Sequence, residues 1–138
     1  MQYWLMKSEP SAYSWDQLVK DGKTNWSGVR NHQAANNLKA MKKGDHAFFY
    51  HSNEGLAVVG IAEIVKEYYP DPSDKAGKFG MVDVKPVAPF KQPVTMAEIK
   101  ATPALKEMVL VKNSRLSVQP VTAAEWKAVC KMGGVTKP

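Results

Sequence analysis

Apolar and polar residues follow one another along this chain in short blocks whose period changes repeatedly. Residues 2 to 7 form an aromatic-rich run that predicts a strand, closed by Pro10. Ser14-Trp15-Asp16-Gln17 has capping-box spacing and predicts a short helix that stops at Asp21-Gly22. Ala34, Ala35, Leu38 and Met41 fall on one face of a helix over residues 31 to 41. After a turn at Lys43-Gly44-Asp45, Ala47-Phe48-Phe49-Tyr50 reads as a buried strand, and Asn53-Glu54-Gly55 as a hairpin-like turn. Leu56 to Tyr69 predicts a long strand. Its apolar residues occupy both parities, so both faces should be covered, and Gly60 permits a bend or bulge.

Pro70-Asp71-Pro72-Ser73-Asp74 with Gly77 reads as an exposed loop. Met81 to Val87 predicts another strand, with Pro86 and Pro89 placing its end at a sheet edge. Thr95-Met96-Ala97-Glu98 and Thr122-Ala123-Ala124-Glu125 are two more capping boxes. Between them, Ala104 to Met108 predicts one helical turn after Pro103, and Leu116 to Gln119 a strand. The last helix should end near Gly133-Gly134, leaving residues 133 to 138 as an untethered tail. The pattern predicts an α+β fold. It lacks the regular βαβ alternation and the long helices that a parallel sheet requires, so an antiparallel, strongly bent sheet or small barrel with peripheral helices fits. A length of 138 residues matches one domain, residues 1–138.

Composition narrows the function classes. A hydrophobic share of 44% fits a globular protein. No run approaches the roughly 18 apolar residues of a membrane span, and the start lacks a signal peptide's charged and apolar regions. A soluble cytoplasmic protein with no membrane partner is expected, with nucleoid association open to it. One cysteine allows neither an internal disulfide nor a multi-thiolate metal site. Nineteen Lys plus Arg against thirteen Asp plus Glu gives +6. That charge suits a partner carrying phosphates, although lysines also serve simply to solubilise a surface. The densest basic stretch, Lys39 to Lys43, holds only three lysines.

Catalytic and metal motifs are missing. His46 and His51 flank one strand five residues apart, so a regular strand points them to opposite faces and they cannot chelate together. His32 lies among amides. No H-E-x-x-H, C-x-x-C, Walker loop, G-x-G-x-x-G or G-x-S-x-G occurs. Cys130 sits one helical turn after Trp126, where a small buried residue is the ordinary role. Neither a metal nor a cofactor is expected.

What stands out is polar and aromatic residues recurring at strand ends: Lys7-Ser8-Glu9-Pro10, Trp26-Ser27-Gly28-Val29-Arg30-Asn31, Tyr50-His51-Ser52-Asn53, Tyr68-Tyr69-Pro70-Asp71 and Arg115-Leu116-Ser117. Singly, each has a structural explanation in the core, in a sheet cap or in a surface ion pair. Together, on a rigid sheet, they are the usual material of a binding site. They suit a nucleobase, whose faces stack on indole or phenol rings and whose edge bonds to Asn, Ser, Glu or backbone groups.

Tyr3-Trp4-Leu5-Met6-Lys7-Ser8-Glu9-Pro10, Trp26 through Ala34, Phe48 through Ser52, Ile64 through Asp71, Met81 through Val84 and Arg115 through Pro120 resemble, in order, the EVE domain family of the PUA-like superfamily. The likeness is greatest to its thymocyte nuclear protein-like branch, although His32 stands where that branch has an aromatic. The resemblance covers nearly the whole chain and implies one complete domain, a mixed β pseudo-barrel with short peripheral helices. It implies a pocket for a flipped, modified base, a 5-substituted cytosine in DNA with RNA also possible. The segments carried over name Trp4, Lys7, Ser8, Glu9, Trp26, Arg30, Asn31, Tyr50, His51, Ser52, Tyr68 and Arg115 as ligand-binding. The expected mechanism is a non-catalytic, monomeric reader. Trp26 and Tyr50 or Tyr68 take the base's faces; Asn31, Ser8 or Ser52, and Glu9 take its edge; rim cations take phosphates. The alternatives are an enzyme on the flipped base, glycosylase- or deaminase-like, with Glu9, Asp71 or His51 as general base, and a module binding small molecules or proteins.

Overall fold

The computed structural model describes residues 1–53 and 55–135. Six strands form one mixed sheet: β1 (Tyr3–Ser8), β2 (Thr24–Asn25), β3 (His46–His51), β4 (Ala57–Pro70), β5 (Gly80–Thr95) and β6 (Val118–Val121). Five short helices surround it: α1 (Trp15–Asp21), α2 (His32–Ala40), α3 (Met96–Lys100), α4 (Val109–Lys112) and α5 (Ala123–Met132), with a 3₁₀ turn at Pro103–Leu105. The strand order is β2-β5-β4-β3-β1-β6. β1 and β3 run parallel and the other neighbours antiparallel, which is the mixed sheet that the resemblance implies and corrects the antiparallel sheet read from the pattern alone. A parallel pair needs a crossover, and α1, β2 and α2 supply it. The sheet is α+β in company but not closed. Its β6 edge is covered instead by α2, where Asn37 Nδ2 donates to the Val118 carbonyl at 2.6 Å.

Alternation along the strands builds two apolar layers. Trp4, Met6, Ala47, Phe49, Ala62, Ile64, Val82 and Val84 face α1 and α2. Leu5, Phe48, Tyr50, Val58, Ile61, Phe90 and Val94 face α3, α4 and α5. Both faces of β4 are thus buried, as its mixed pattern predicts. The ladder shifts register beside Gly60, where an added Cβ would lie 2.6 Å from the Trp15 ring, so close approach is a second reason for that glycine.

The prolines of β5 mark an edge but do not end the strand, which runs on to Thr95. β2 pairs β5 only at Asp83 and Val84, so beyond that point one side of β5 has no strand neighbour and tolerates the missing N–H groups. Two of its later N–H groups, on Lys91 and Gln92, donate to the Gly133 carbonyl. Residues 133 to 135 are therefore tied to β5 and α5, not free; residues 136–138 lie outside the described residues. So does Glu54 of the expected Asn53–Gly55 turn. The boxes at Thr95/Glu98 and Thr122/Glu125 form fully. At Ser14 only half forms: Ser14 Oγ accepts from Gln17 N, while the Gln17 side chain turns to Asp21. Among the described residues no helix is long and apolar enough to cross a membrane.

Candidate functional site

The end of β1 is held from both sides. Lys7 N donates to the Ser117 carbonyl at 2.9 Å, and Ser52 N donates to the Ser8 carbonyl at 2.9 Å. The Glu9 carbonyl then accepts from Ala12 N and Tyr13 N, folding the chain back into a turn. Ser8 Oγ donates to the Tyr13 carbonyl at 2.6 Å and locks that turn. Opposite it, β2 lies along β5, and the ladder is prolonged by Trp26 N donating to the Val82 carbonyl at 2.7 Å.

Between these two segments lies a cavity of about 550 Å³, within the range of small-molecule sites. One wall is Lys7, Ser8, Glu9, Ala12 and Tyr13; the other is Thr24, Asn25, Trp26, Ser27 and Gly28. Trp26 is 8% exposed. Its ring stands edge-on to Phe49, centroids 5.5 Å apart, and what remains uncovered lines the cavity. Tyr13 is half-buried across from it, its hydroxyl donating to Asp21 Oδ2 at 2.8 Å. Burial, more than its hydrogen bonds, raises the Tyr13 pKa, so it stays a neutral phenol. Lys7 Nζ donates to the Ser114 carbonyl, and burial lowers its pKa below the usual lysine value.

The wall at Trp26–Gly28 is fixed from afar by Asp71, which is 2% exposed. Asp71 Oδ2 accepts from Gly28 N at 2.8 Å and from Arg30 Nη1 at 3.2 Å. Its Oδ1 accepts from Ser73 N and Ser73 Oγ. Burial alone would raise the Asp71 pKa, but these bonds from Ser73, Gly28 and Arg30 outweigh it and hold the carboxyl far below the carboxylate range. Gly28 has φ +84°, a left-handed conformation that favours glycine.

A model of the EVE domain matches residues 2–132. The chain belongs to the EVE domain family. Human thymocyte nuclear protein 1 is 41% identical to it over 164 aligned positions, covering 94% of this chain and 73% of the human protein. The solution structure of a Rhodopseudomonas palustris protein superposes with a TM-score of 0.94 at 59% identity, covering 100% of this chain and 97% of that one. The crystal structure of the human THYN1 protein in complex with 5-methylcytosine-containing DNA superposes with a TM-score of 0.90 at 38% identity, covering 100% of both chains.

In this EVE domain the expected site residues part company. Lys7, Ser8, Glu9 and Trp26 meet around the cavity. Trp4 is core instead: it is buried and its Nε1 donates to Asp45 Oδ2 at 3.1 Å. Tyr50 is buried in the layer facing α5, on the other side of the sheet from Trp26, so it cannot supply the second stacking face. Tyr68 packs toward the Gly80 backbone with Lys39 over its ring, away from the cavity lining. Asn31 is spent capping α2, its Oδ1 accepting from Ala34 N at 2.9 Å. Arg30 is paired with Asp71 and Ser73, and Arg115 is exposed outside the lining. Ser52 serves through its backbone N–H.

Two of the general bases considered are also committed. The loop after β4 is exposed at Pro72, Ser73 and residues 75 to 78, as expected, but Asp71 itself is buried in the network just described. His51 Nε2 accepts from Trp15 N at 3.1 Å, capping the start of α1. Cys130 is buried, and burial pushes its thiol up to about 12. As expected, the two strand histidines diverge: His46 packs toward Trp126, and His51 toward Phe49 on the opposite face.

Sequence reasoning passed over Tyr13, Thr24, Asn25, Ser27 and Gly28 as lining residues. The signal was present for Ser27 and Gly28, which lie inside the Trp26–Asn31 segment. Tyr13 gave none, standing alone between Pro10 and the capping Ser14.

His51 carries a pH dependence whose sign follows from its bond. Nε2 must be unprotonated to accept from Trp15, and burial lowers the His51 pKa below 6.5, with the Asp16 charge opposing part of that shift. Between the lowered folded value and the unfolded value near 6.5, the unfolded chain binds the extra proton. Stability is therefore full above about pH 6.5 and declines as pH falls toward the folded value. NMR titration of the imidazole should give a midpoint below 6.5, and His51→Gln should flatten the loss of melting temperature in mild acid. A midpoint at or above 6.5 contradicts this.

Proposed function

We propose that this chain is a non-catalytic reader of a modified base in nucleic acid, a 5-substituted cytosine in DNA, which it takes as a flipped nucleotide into the cavity between the end of β1 and residues 24 to 28. The observation that carries the reading is that this cavity joins Trp26 to Lys7, Ser8 and Glu9. Support comes from the superposition on human THYN1, whose structure was solved with 5-methylcytosine-containing DNA.

The site's chemistry suits the task. Trp26 and Tyr13 offer the stacking faces, worth about 1–3 kcal/mol per base. Ser8, Glu9 and Asn25 offer acceptors and donors for the base edge, whereas the Lys7 ammonium, bonded to the Ser114 carbonyl and over the Tyr50 ring, is turned to the other face of the sheet. Extrusion from a duplex costs a few kcal/mol and nothing in a single strand that is already unstacked. Burial of one methyl group adds about 0.8 kcal/mol, roughly fourfold in affinity, so methyl burial alone gives modest discrimination.

A binding panel tests this: plain, methylated and hydroxymethylated oligonucleotides, single- and double-stranded, at two salt concentrations. Tighter binding of a cytosine-modified strand supports the reading. Equal, salt-sensitive binding of every strand contradicts it, and release or alteration of the modified base on prolonged incubation would make the protein an enzyme.

A further inference from the structure

The cavity wall at Trp26–Gly28 and the loop after β4 are joined by a single buried carboxylate, and that carboxylate also occupies the arginine nearest the wall. Asp71 Oδ2 holds the Gly28 amide and Arg30 Nη1 together, across 43 and 41 positions of sequence respectively. Arg30 Nη1 also donates to the Val29 carbonyl at 3.0 Å, and Nη2 donates to Ser73 Oγ at 2.9 Å. The guanidinium carbon lies 5.7 Å from the centre of the Phe79 ring. Three of the five N–H donors of the guanidinium fork are thus engaged, and its charge is matched by an Asp71 side chain that is wholly buried. The arginine side chain itself remains 40% exposed. It stands at the surface yet is neutralised from within.

We infer that Asp71 is the positioning and specificity-determining residue of the base site. Its carboxylate fixes the Trp26–Gly28 wall through the Gly28 amide and keeps Arg30 from serving as a modification-blind phosphate contact. The inference rests on the base-reading function proposed above. Its physical basis is a competition for one cation. A phosphate approaching Arg30 meets a guanidinium whose charge is offset by a buried carboxylate 3.2 Å away. Asp74, whose carboxylate accepts from Lys78 N and Phe79 N in the same loop, adds a second negative charge nearby. With Arg30 so held, the cation beside the wall adds no phosphate contact, and a larger share of the affinity comes from the cavity. The tie also holds the wall's backbone: the Gly28 N–H bond to Asp71 bridges the cavity wall to the loop after β4.

The test uses the full chain with plain and 5-methylcytosine oligonucleotides, measuring affinity across a salt series. Asp71→Asn keeps the side-chain shape and removes the charge. The ratio of modified to plain affinity should fall toward one. Binding of plain oligonucleotide should strengthen at low salt, with its log–log salt slope steeper by about 0.9, one added phosphate contact on duplex DNA. Adding Arg30→Gln to Asp71→Asn should restore the original slope without restoring the ratio. A role confined to stability would lower both affinities in proportion and leave the slope alone. If Asp71→Asn does not fold, Arg30→Gln alone gives the second reading: a guanidinium already neutralised by Asp71 makes no phosphate contact, so its loss should leave the salt slope at the wild-type value.

A wild-type chain that fails to discriminate overturns the base-reading function itself. A wild-type chain that discriminates, beside an Asp71→Asn variant with unchanged ratio and slope, or an Arg30→Gln variant whose slope is shallower than wild type by about 0.9, overturns this inference alone.

Discussion

Trp26→Ala should weaken binding of a 5-methylcytosine oligonucleotide by about 5- to 150-fold, the equivalent of one lost stacking face. Trp26 is anchored edge-on against Phe49 and pinned through its backbone to Val82, so its ring has one fixed setting at the cavity. A base entering the cavity finds that surface already ordered, and little entropy is lost in arranging it. The same substitution removes a buried ring from the layer facing α1 and α2, so melting temperature should fall as well. Trp26→Phe separates the two effects. It keeps an aromatic face beside Phe49 and should fold normally, with affinity between those of wild type and Trp26→Ala. Wild-type affinity in both variants, measured by titration below their melting temperatures, would remove Trp26 from the site.

The largest loss of stability is expected on the other side of the sheet. Trp126 is 1% exposed, stacks on Phe48 at 3.9 Å between centroids and on Tyr3 at 4.5 Å. Trp126→Ala should cost about 3–5 kcal/mol, because a cavity between β1, β3 and α5 cannot close without moving the sheet. For a chain of this size that corresponds to a melting temperature lower by about 10–20 °C. The indole Nε1 is buried without a hydrogen-bond partner among the described residues. Trp126→Phe therefore forfeits no hydrogen bond and should lose well under half as much. Since Trp126 belongs to the layer opposite Trp26, Trp126→Phe should leave oligonucleotide affinity within about twofold. A melting temperature for Trp126→Ala close to wild type would contradict the packing described.

The contrast between these two tryptophans shows what a sequence carries and what it does not. Helix starts at Thr95 and Thr122 were legible because a capping box closes within four residues and needs no distant partner. The two-faced burial of β4 was legible because it is written in the parity of neighbouring residues. β2 was not, since two residues carry no period and exist as a strand only because Val84 and Asp83 lie beside them. The length of β5 was obscured by prolines that are harmful inside a sheet and harmless at its edge.

The site divides along the same line. Lys7, Ser8, Glu9 and Trp26 could be picked out as polar or aromatic residues leaving strands. Tyr13 reaches the cavity only because the turn held by the Glu9 carbonyl swings it there. Asp71, flanked by Pro70 and Pro72, has the local signature of an exposed turn. Its burial is decided by Gly28 and Arg30, more than forty positions away. Asn31 and His51 show the converse: residue types suited to reading a base, each already bonded to the start of a helix. Residue chemistry at strand ends locates a site, whereas which donors and acceptors remain free depends on tertiary hydrogen bonds.

In the proposed function the base is received between the end of β1 and the Trp26–Gly28 wall. The most direct measurement is an NMR titration of the isotopically labelled chain with a single-stranded 5-methylcytosine oligonucleotide. The largest amide and indole shift changes should fall at Lys7, Ser8, Glu9, Tyr13, Trp26, Ser27 and Gly28, with Trp126 unmoved. Changes centred on the α5 face around Trp126, or on Lys39 to Lys43, with the cavity residues unmoved, would contradict it.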